Sequence, residues 1–143
     1  MRHIYTTRVS LFEPKKATLS GPDNLSMVIS APPEFQGEPG NWTPENLFVA
    51  SIEGCLLTTL LYFTRKKKLN LILYESRAEG VVEKTEKGLL FTSITVEATL
   101  DLQNASDPGK AAEDLAYLAE KYCLVSNSVQ CPIHFKLGLK KET

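Results

Sequence analysis

The sequence predicts an α+β fold, and three observations carry that reading. Short runs rich in β-branched and aromatic residues, cut by turn formers, fill the amino-terminal part. Two long segments carry helix start signals, at Thr43-Pro44 and at Asp107-Pro108. Between them, residues 74–102 alternate apolar and polar side chains with the period of a half-buried strand. The order is two or three short strands, a helix, two longer strands, a second helix and a closing strand. Strands and helices do not alternate strictly, which separates this chain from a doubly wound sheet. At 143 residues the chain is long enough for a sizeable core, and residues 1–143 are expected to form one domain.

The first strands are HIYTTRVSLF (residues 3–12) and SMVIS (residues 26–30), separated by the breakers Pro14, Gly21, Pro22 and Asn24. APPEFQGEPGNW (residues 31–42) follows as a loop, with three prolines, two glycines and an asparagine. Phe35 and Trp42 in it are apolar side chains suited to walling a site.

Thr43 then reads as an N-cap, with Pro44 at the first helical position and Glu45 in the first turn. No polar stripe interrupts the next 20 or so residues until Arg65, Lys66, Lys67 and Lys68, which suit the negative end of the helix dipole. A helix apolar on most of its circumference must be buried on most of it. One sheet cannot supply that cover in so small a domain, so a second subunit is expected on the remaining face. The run from Leu47 to Phe63 is interrupted by Ser51, Glu53, Thr58 and Thr59, and it is not expected to span a bilayer.

Residues 74–83 and 90–102 are the two longer strands. The second presents Leu90, Thr92, Ile94, Val96, Ala98, Leu100 and Leu102 on one face, and residues 84–88 make a hairpin loop between the two strands. Asp107 caps the second helix and Pro108 starts it, with Ala111, Leu115, Leu118 and Tyr122 as its apolar stripe. Cys123 falls at its end, LVSNSV adds a further turn or two, and Ile133 to Leu139 forms the last strand.

Composition narrows the function classes. A formal net charge of −1, with 43% hydrophobic and 23% charged residues, offers no broad electrostatic reason for a nucleic-acid or anionic-membrane partner. The amino terminus lacks the apolar core and cleavage site of a signal peptide, so a cytoplasmic location is expected. In that reducing setting the three cysteines, Cys55, Cys123 and Cys131, are not a disulfide framework. Cys123, Cys131 and His134 match no common zinc spacing, and no metal or other cofactor is expected.

The residues that could do chemistry are Glu45, Glu53 and Cys55 in the first helix and Cys123 after the second. Ten residues of continuous helix rise about 15 Å, so Glu45 and Cys55 of one straight helix cannot meet. Either the helix breaks near Ser51 to Gly54, or Glu45 serves the Cys55 of a partner subunit; the oily circumference favours the partner. Glu53 lies two residues from Cys55 and points elsewhere on a helix, which predicts a solvated or salt-bridged carboxylate at an edge. Cys55 and Cys123, one mid-helix and one at a helix end, fit either two buried small hydrophobes or a reactive thiol with its resolving partner. A cysteine hydrolase using His134 or His3 as base is the weakest reading, since neither lies in a recognisable motif.

At TPENLFVASIEGC and AEKYCLVSNSV the chain resembles the OsmC/Ohr family of osmotically inducible and organic-hydroperoxide-resistance proteins. The first motif is Pro44, Glu45, Leu47, Ala50 and Cys55; the second is Cys123 with Leu124, Val125, Ser126 and Asn127; the FQGEPGNW loop resembles the glycine-rich approach to the first. The resemblance implies an intertwined homodimer, two antiparallel sheets around long central helices, and two sites at the interface. It also implies a thiol peroxidase for organic hydroperoxides: Cys55 as peroxidatic thiolate, Cys123 as resolving thiol, Glu45 supplied by the other subunit, and an external dithiol as reductant. Where family peroxidases place an arginine, this chain has Pro14-Lys15-Lys16 at one position and Glu34-Phe35 at the other. Lys15 or Lys16 is then the expected cation beside the thiolate, with Arg8 a further option; a lysine lacks arginine's bidentate fork. The rival in a different class is a non-catalytic dimer that binds a small apolar or thiol-reactive molecule in the same pocket.

Overall fold

The computed structural model describes residues 1–141, which fall into two compact units, Met1–Phe48 and the chain from Val49 onward. The first unit holds a three-stranded antiparallel meander of β1 (Arg8–Glu13), β2 (Lys16–Ser20) and β3 (Ser26–Ile29). The expected strand from His3 is shorter than its β-rich sequence suggests. Arg8 pairs with Ser20, the last residue of β2, so residues 3–7 have no strand to pair with. Pro14 and Lys15 make the first turn. The second contains Asp23 and Asn24 at φ of 54° and 62°, a region these two residue types tolerate better than most.

The loop after β3 folds back on itself. The Ser30 amide donates to the Trp42 carbonyl at 3.0 Å, and the Glu38 amide donates to Ser30 Oγ at 3.0 Å. Gly37 crosses so close to Ala31 that a Cβ there would lie 1.5 Å from the Ala31 carbonyl oxygen, so no side chain fits at this position. The loop delivers the chain into α1 (Pro44–Lys66) with Thr43 as its cap. Thr43 Oγ1 accepts from the Asn46 amide at 3.0 Å, the bond of an N-cap, and donates to Asn46 Oδ1 at 2.8 Å.

From Val49 onward, α1 continues and a second sheet follows. It contains β4 (Asn70–Thr85), β5 (Gly88–Gln103) and β6 (Ile133–Leu139), with α2 (Pro108–Tyr122) crossing from β5 to β6. This sheet departs from the all-antiparallel expectation at one strand. β4 and β5 form an antiparallel hairpin, but β6 pairs with β5 in parallel, Val96 against Phe135 and Ala98 against Leu137. The cause is the crossover, since α2 carries the chain back to the starting end of β5 before β6 begins. The hairpin turn reverses through Gly88 at φ 104°, a conformation costly for any residue with a Cβ.

The core of this unit lies where the alternation of β5 put it. Ile94, Val96 and Leu100 are fully buried and Ala98 and Leu102 nearly so, with Ile52, Leu56 and Leu60 of α1 and Leu115 and Ala119 of α2 also shut off from solvent. Leu90, expected on the same face, is exposed, because it lies near the hairpin end. The apolar stripe of α2 is rotated from the expected one: Ala112, Leu115, Ala119 and Cys123 are buried, and Tyr122 is exposed. Asp107 caps this helix as its sequence predicts, accepting from the Lys110 amide at 3.1 Å. The long helix α1 buries only Ile52, Leu56, Leu60, Phe63 and Thr64. By length and composition alone α1 would cross a membrane, but its buried stripe is part of the core just described.

Candidate functional site

The site is built where the middle of α1 meets the end of α2. Cys55 is half-buried on α1, and Cys123 is the C-cap of α2, with no exposed surface. The two thiols lie within hydrogen-bond reach of each other. On the helix side, Thr59 is one turn after Cys55, and its Oγ1 lies 3.9 Å from Cys55 Sγ. On the other side the chain leaves α2 and turns sharply, so that the backbone amides of Val125 and Leu124 both hydrogen-bond Cys55.

That surround drives the two acidities apart. Burial pushes the Cys55 thiol up, but the Val125 amide, the Cys123 thiol, the Thr59 hydroxyl and the Leu124 amide together outweigh it and hold Cys55 below the ordinary thiol range. Burial also pushes Cys123 up, and there the Ser126 hydroxyl and amide do not overcome it, while Cys55 adds a further upward push. Cys55 is therefore the more acidic and more exposed member of the pair, and Cys123 the less acidic and enclosed one. Among the described residues, the groups that shift Cys55 include no histidine.

α1 runs unbroken from Pro44 to Lys66, which removes the alternative of a break near Ser51 to Gly54. Glu45 and Cys55 of one chain are thus about three turns apart along it. Glu45 lines a cavity of about 510 Å³ in the amino-terminal unit, together with Lys15, Lys16, Leu11, Ile29 and Phe35. Its Oε1 is buried there without a hydrogen-bond partner among the described residues. Lys16 is engaged by two carboxylates, Glu38 at 3.4 Å and Glu13 at 3.8 Å. Among the described residues Lys15 makes no ion pair. Arg8 opens β1, opposite Ser20.

Glu53 makes no ion pair among the described residues. It is half-buried, and its Oε2 accepts from Ser76 Oγ of β4 at 2.6 Å. The same face of β4 carries Tyr74, whose hydroxyl is buried without a hydrogen bond of normal geometry among the described residues. Burial, with the nearby Glu53 charge, pushes the Tyr74 phenol up to about 12, against a smaller downward pull from Ser76. Cys131 is half-buried just before β6 and unpaired.

Sequence reading gave no role to Thr59 or to Ser126, which it placed only in the second motif, and did not find the two backbone amides. Thr59 was recoverable, because it stands one helical turn beyond a cysteine. The amides were not, since any residue types except proline at 124 and 125 would present them.

A family model for OsmC-like proteins matches residues 37–138, and the chain belongs to that family. Among solved structures, an OsmC-like protein of unknown function from Vibrio cholerae superposes with a TM-score of 0.87 at 20% identity, over 95% of this chain and 99% of that one. An organic hydroperoxide resistance protein OsmC from Legionella pneumophila gives 0.74 at 23% identity, over 98% and 100% of the two chains. The organic hydroperoxide resistance protein OhrB of Bacillus subtilis gives 0.66 at 21% identity, over 95% and 98%. At such identities these likenesses establish the α+β fold. No curated protein matches the sequence.

Proposed function

We propose that this protein is a thiol peroxidase that reduces organic hydroperoxides through Cys55, with Cys123 resolving the oxidised thiol. The observation that carries the reading is the Cys55–Cys123 pair: two thiols in reach of each other, with Cys55 open and more acidic, and Cys123 enclosed and less acidic. The Cys55 thiolate attacks one peroxide oxygen, the O–O bond breaks, and the leaving alkoxide takes a proton to become an alcohol. Cys55 is left as a sulfenic acid. Cys123 gives up its proton and attacks the Cys55 sulfur, forming the disulfide and releasing water. An external dithiol returns both thiols by exchange and is itself oxidised to a disulfide.

In this reading the working unit is a homodimer, and Glu45 and Lys15 of one subunit face Cys55 of the other. The amino-terminal sheet exposes Val9, Leu11, Phe12 and Val28, and the β4–β5 hairpin exposes Val81, Val82, Leu89 and Leu90. Apolar clusters of this extent support cover by a second copy. The orphaned Glu45 oxygen supports the same assignment, because a buried carboxylate needs a donor. Leu11, Ile29 and Phe35 in the same cavity favour an alkyl-bearing peroxide over hydrogen peroxide.

The test is consumption of cumene hydroperoxide against hydrogen peroxide by reduced protein with dithiothreitol present, beside Cys55→Ser and Cys123→Ser. Fast turnover lost in Cys55→Ser, with a Cys55–Cys123 disulfide trapped in the native protein, supports the proposal. No turnover, with Cys55 unreactive to alkylation, refutes it in favour of a dimer that binds a small apolar or thiol-reactive ligand.

A further inference from the structure

The segment that follows Cys123 is tied down far more tightly than a surface connection needs to be. The Asn127 amide donates to the Cys123 carbonyl at 3.0 Å, and Asn127 Nδ2 donates to the Lys121 carbonyl at 3.0 Å, so one asparagine closes the turn and clamps it to the end of α2. The Ser128 amide donates to the Val125 carbonyl at 3.0 Å, and Ser128 Oγ donates to the Leu124 carbonyl at 2.8 Å. Held inside this frame, Ser126 turns its hydroxyl back onto the preceding cysteine and donates from Oγ to Cys123 Sγ at 3.0 Å. The Ser126 amide hydrogen-bonds the same thiol. Cys123 is fully buried, so no water replaces these donors.

We infer that Ser126 is a catalytic residue of the resolving step, donating a hydrogen bond that stabilises the Cys123 thiolate as it forms and attacks Cys55. The proposal deepens the peroxidase reading and rests on it for the step it serves. In that step the Cys123 S–H proton leaves, the Cys123 thiolate attacks the Cys55 sulfur, the S–S bond forms and the S–O bond of the sulfenic acid breaks. The departing hydroxide takes up a proton and leaves as water, and the oxidising equivalent is the one delivered by the hydroperoxide. A buried thiol is costly to ionise, and of the described residues only Cys55 and Ser126 act on Cys123 besides burial. No lysine, arginine or histidine is among them, so Ser126 supplies the downward pull against burial.

A hydrogen bond to a charged group is strong enough to move a pKa by about one unit. Its removal cuts the thiolate fraction about tenfold below the pKa, while the more basic thiolate regains about threefold in nucleophilicity, leaving closure about threefold slower at neutral pH. Above both pKa values the thiolate fraction no longer differs, and the variant closes the disulfide faster than the native protein. This change of sign with pH is something a merely structural role would not produce.

The experiment has two arms on the full-length chain. In a Cys55→Ser background, the Cys123 pKa is read from the pH dependence of its 13Cβ chemical shift for Ser126 and for Ser126→Ala. In the otherwise native protein, disulfide closure after one equivalent of cumene hydroperoxide is followed across pH. The expected results are a Cys123 pKa higher by about one unit in Ser126→Ala, closure that is slower at neutral pH and faster at high pH, and restoration by Ser126→Thr. The isosteric Ser126→Thr and Ser126→Val pair differs only in the hydroxyl and reads the same effect should Ser126→Ala fail to fold. An unchanged Cys123 pKa in the first arm overturns the proposal. The first arm uses no peroxide, so the Cys123 pKa is measured there even where the second arm shows no peroxidase activity.

Discussion

Cys55 on α1 and Cys123 at the C-cap of α2 meet thiol to thiol, and their shared surroundings make one more acidic and the other less. The cause is an asymmetry of donors. Two backbone amides and a threonine hydroxyl converge on Cys55, while burial dominates at Cys123 despite the Ser126 bonds. A chain turn, which no side-chain pattern advertises, therefore does part of the work usually given to a nearby cation.

The first prediction is an order of titration. As pH rises, Cys55 loses its proton below the ordinary thiol range and Cys123 above it. Alkylation followed peptide by peptide should show Cys55 modified at neutral pH while Cys123 is protected. The reverse order would remove the basis for naming Cys55 the nucleophile. The two thiols also act on stability with opposite effect. Cys55, with a depressed folded pKa, contributes stability above the ordinary thiol range that is lost as pH falls through its folded pKa. Cys123, with a raised one, costs stability as pH rises above the ordinary thiol range.

The two lysines should separate. Lys16 is occupied by Glu13 and Glu38, whereas Lys15 is unpaired among the described residues and lines the cavity that holds Glu45. Lys15→Ala is expected to slow peroxide reduction about tenfold or more, the loss of positive charge at the transition state adding to a rise in the Cys55 pKa, with Lys15→Arg restoring the rate. Lys16→Ala should change it by less than about threefold, in line with the small effect of exposed pairs. Stopped-flow consumption of cumene hydroperoxide distinguishes the two, and equal losses would assign the cation role to neither alone.

Glu45 should matter for activity and not for folding. Its Oε1 has no partner to lose within the described chain, so Glu45→Gln is expected to leave thermal unfolding within about 1 kcal/mol of native. Peroxide turnover should drop about tenfold or more, the usual scale for a positioned carboxylate. A large fall in melting temperature would show instead that the carboxylate is structural.

Tyr74 offers a prediction about stability alone. Its phenol is held up to about 12, so the folded protein keeps a proton that the unfolded chain gives up at lower pH. The fold should lose stability as pH rises above the ordinary tyrosine range of about 10, and Tyr74→Phe should blunt that loss. Because the hydroxyl is buried without a partner, the same variant should be neutral or up to about 1 kcal/mol more stable at neutral pH, measured by urea unfolding. A clear destabilisation would mean the hydroxyl has a partner after all.

Much of the architecture was legible in the one-dimensional pattern. Thr43-Pro44 and Asp107-Pro108 marked both helix starts, since caps are local chemistry between neighbouring residues. The alternation of Ile94, Val96, Ala98, Leu100 and Leu102 identified the buried face of β5, because successive side chains on a strand must point to opposite sides. Glu45 stood out as an acid in an apolar helical run, whereas Cys55 and Cys123 carried weight through the motifs that resemble the OsmC/Ohr family. Other features depended on where the chain goes after a local signal ends. The parallel pairing of β6 follows from the path of α2, and the start of β1 at Arg8 from where β2 stops. The rotation of the α2 stripe onto Ala112, Ala119 and Cys123 follows from what the helix packs against, which propensity cannot express. The convergence of Val125, Leu124 and Thr59 on Cys55, and of Ser126 on Cys123, is of the same kind. Residues distant in sequence reach one sulfur atom only after helix and turn are packed, and half of the donors are backbone groups that every residue except proline carries.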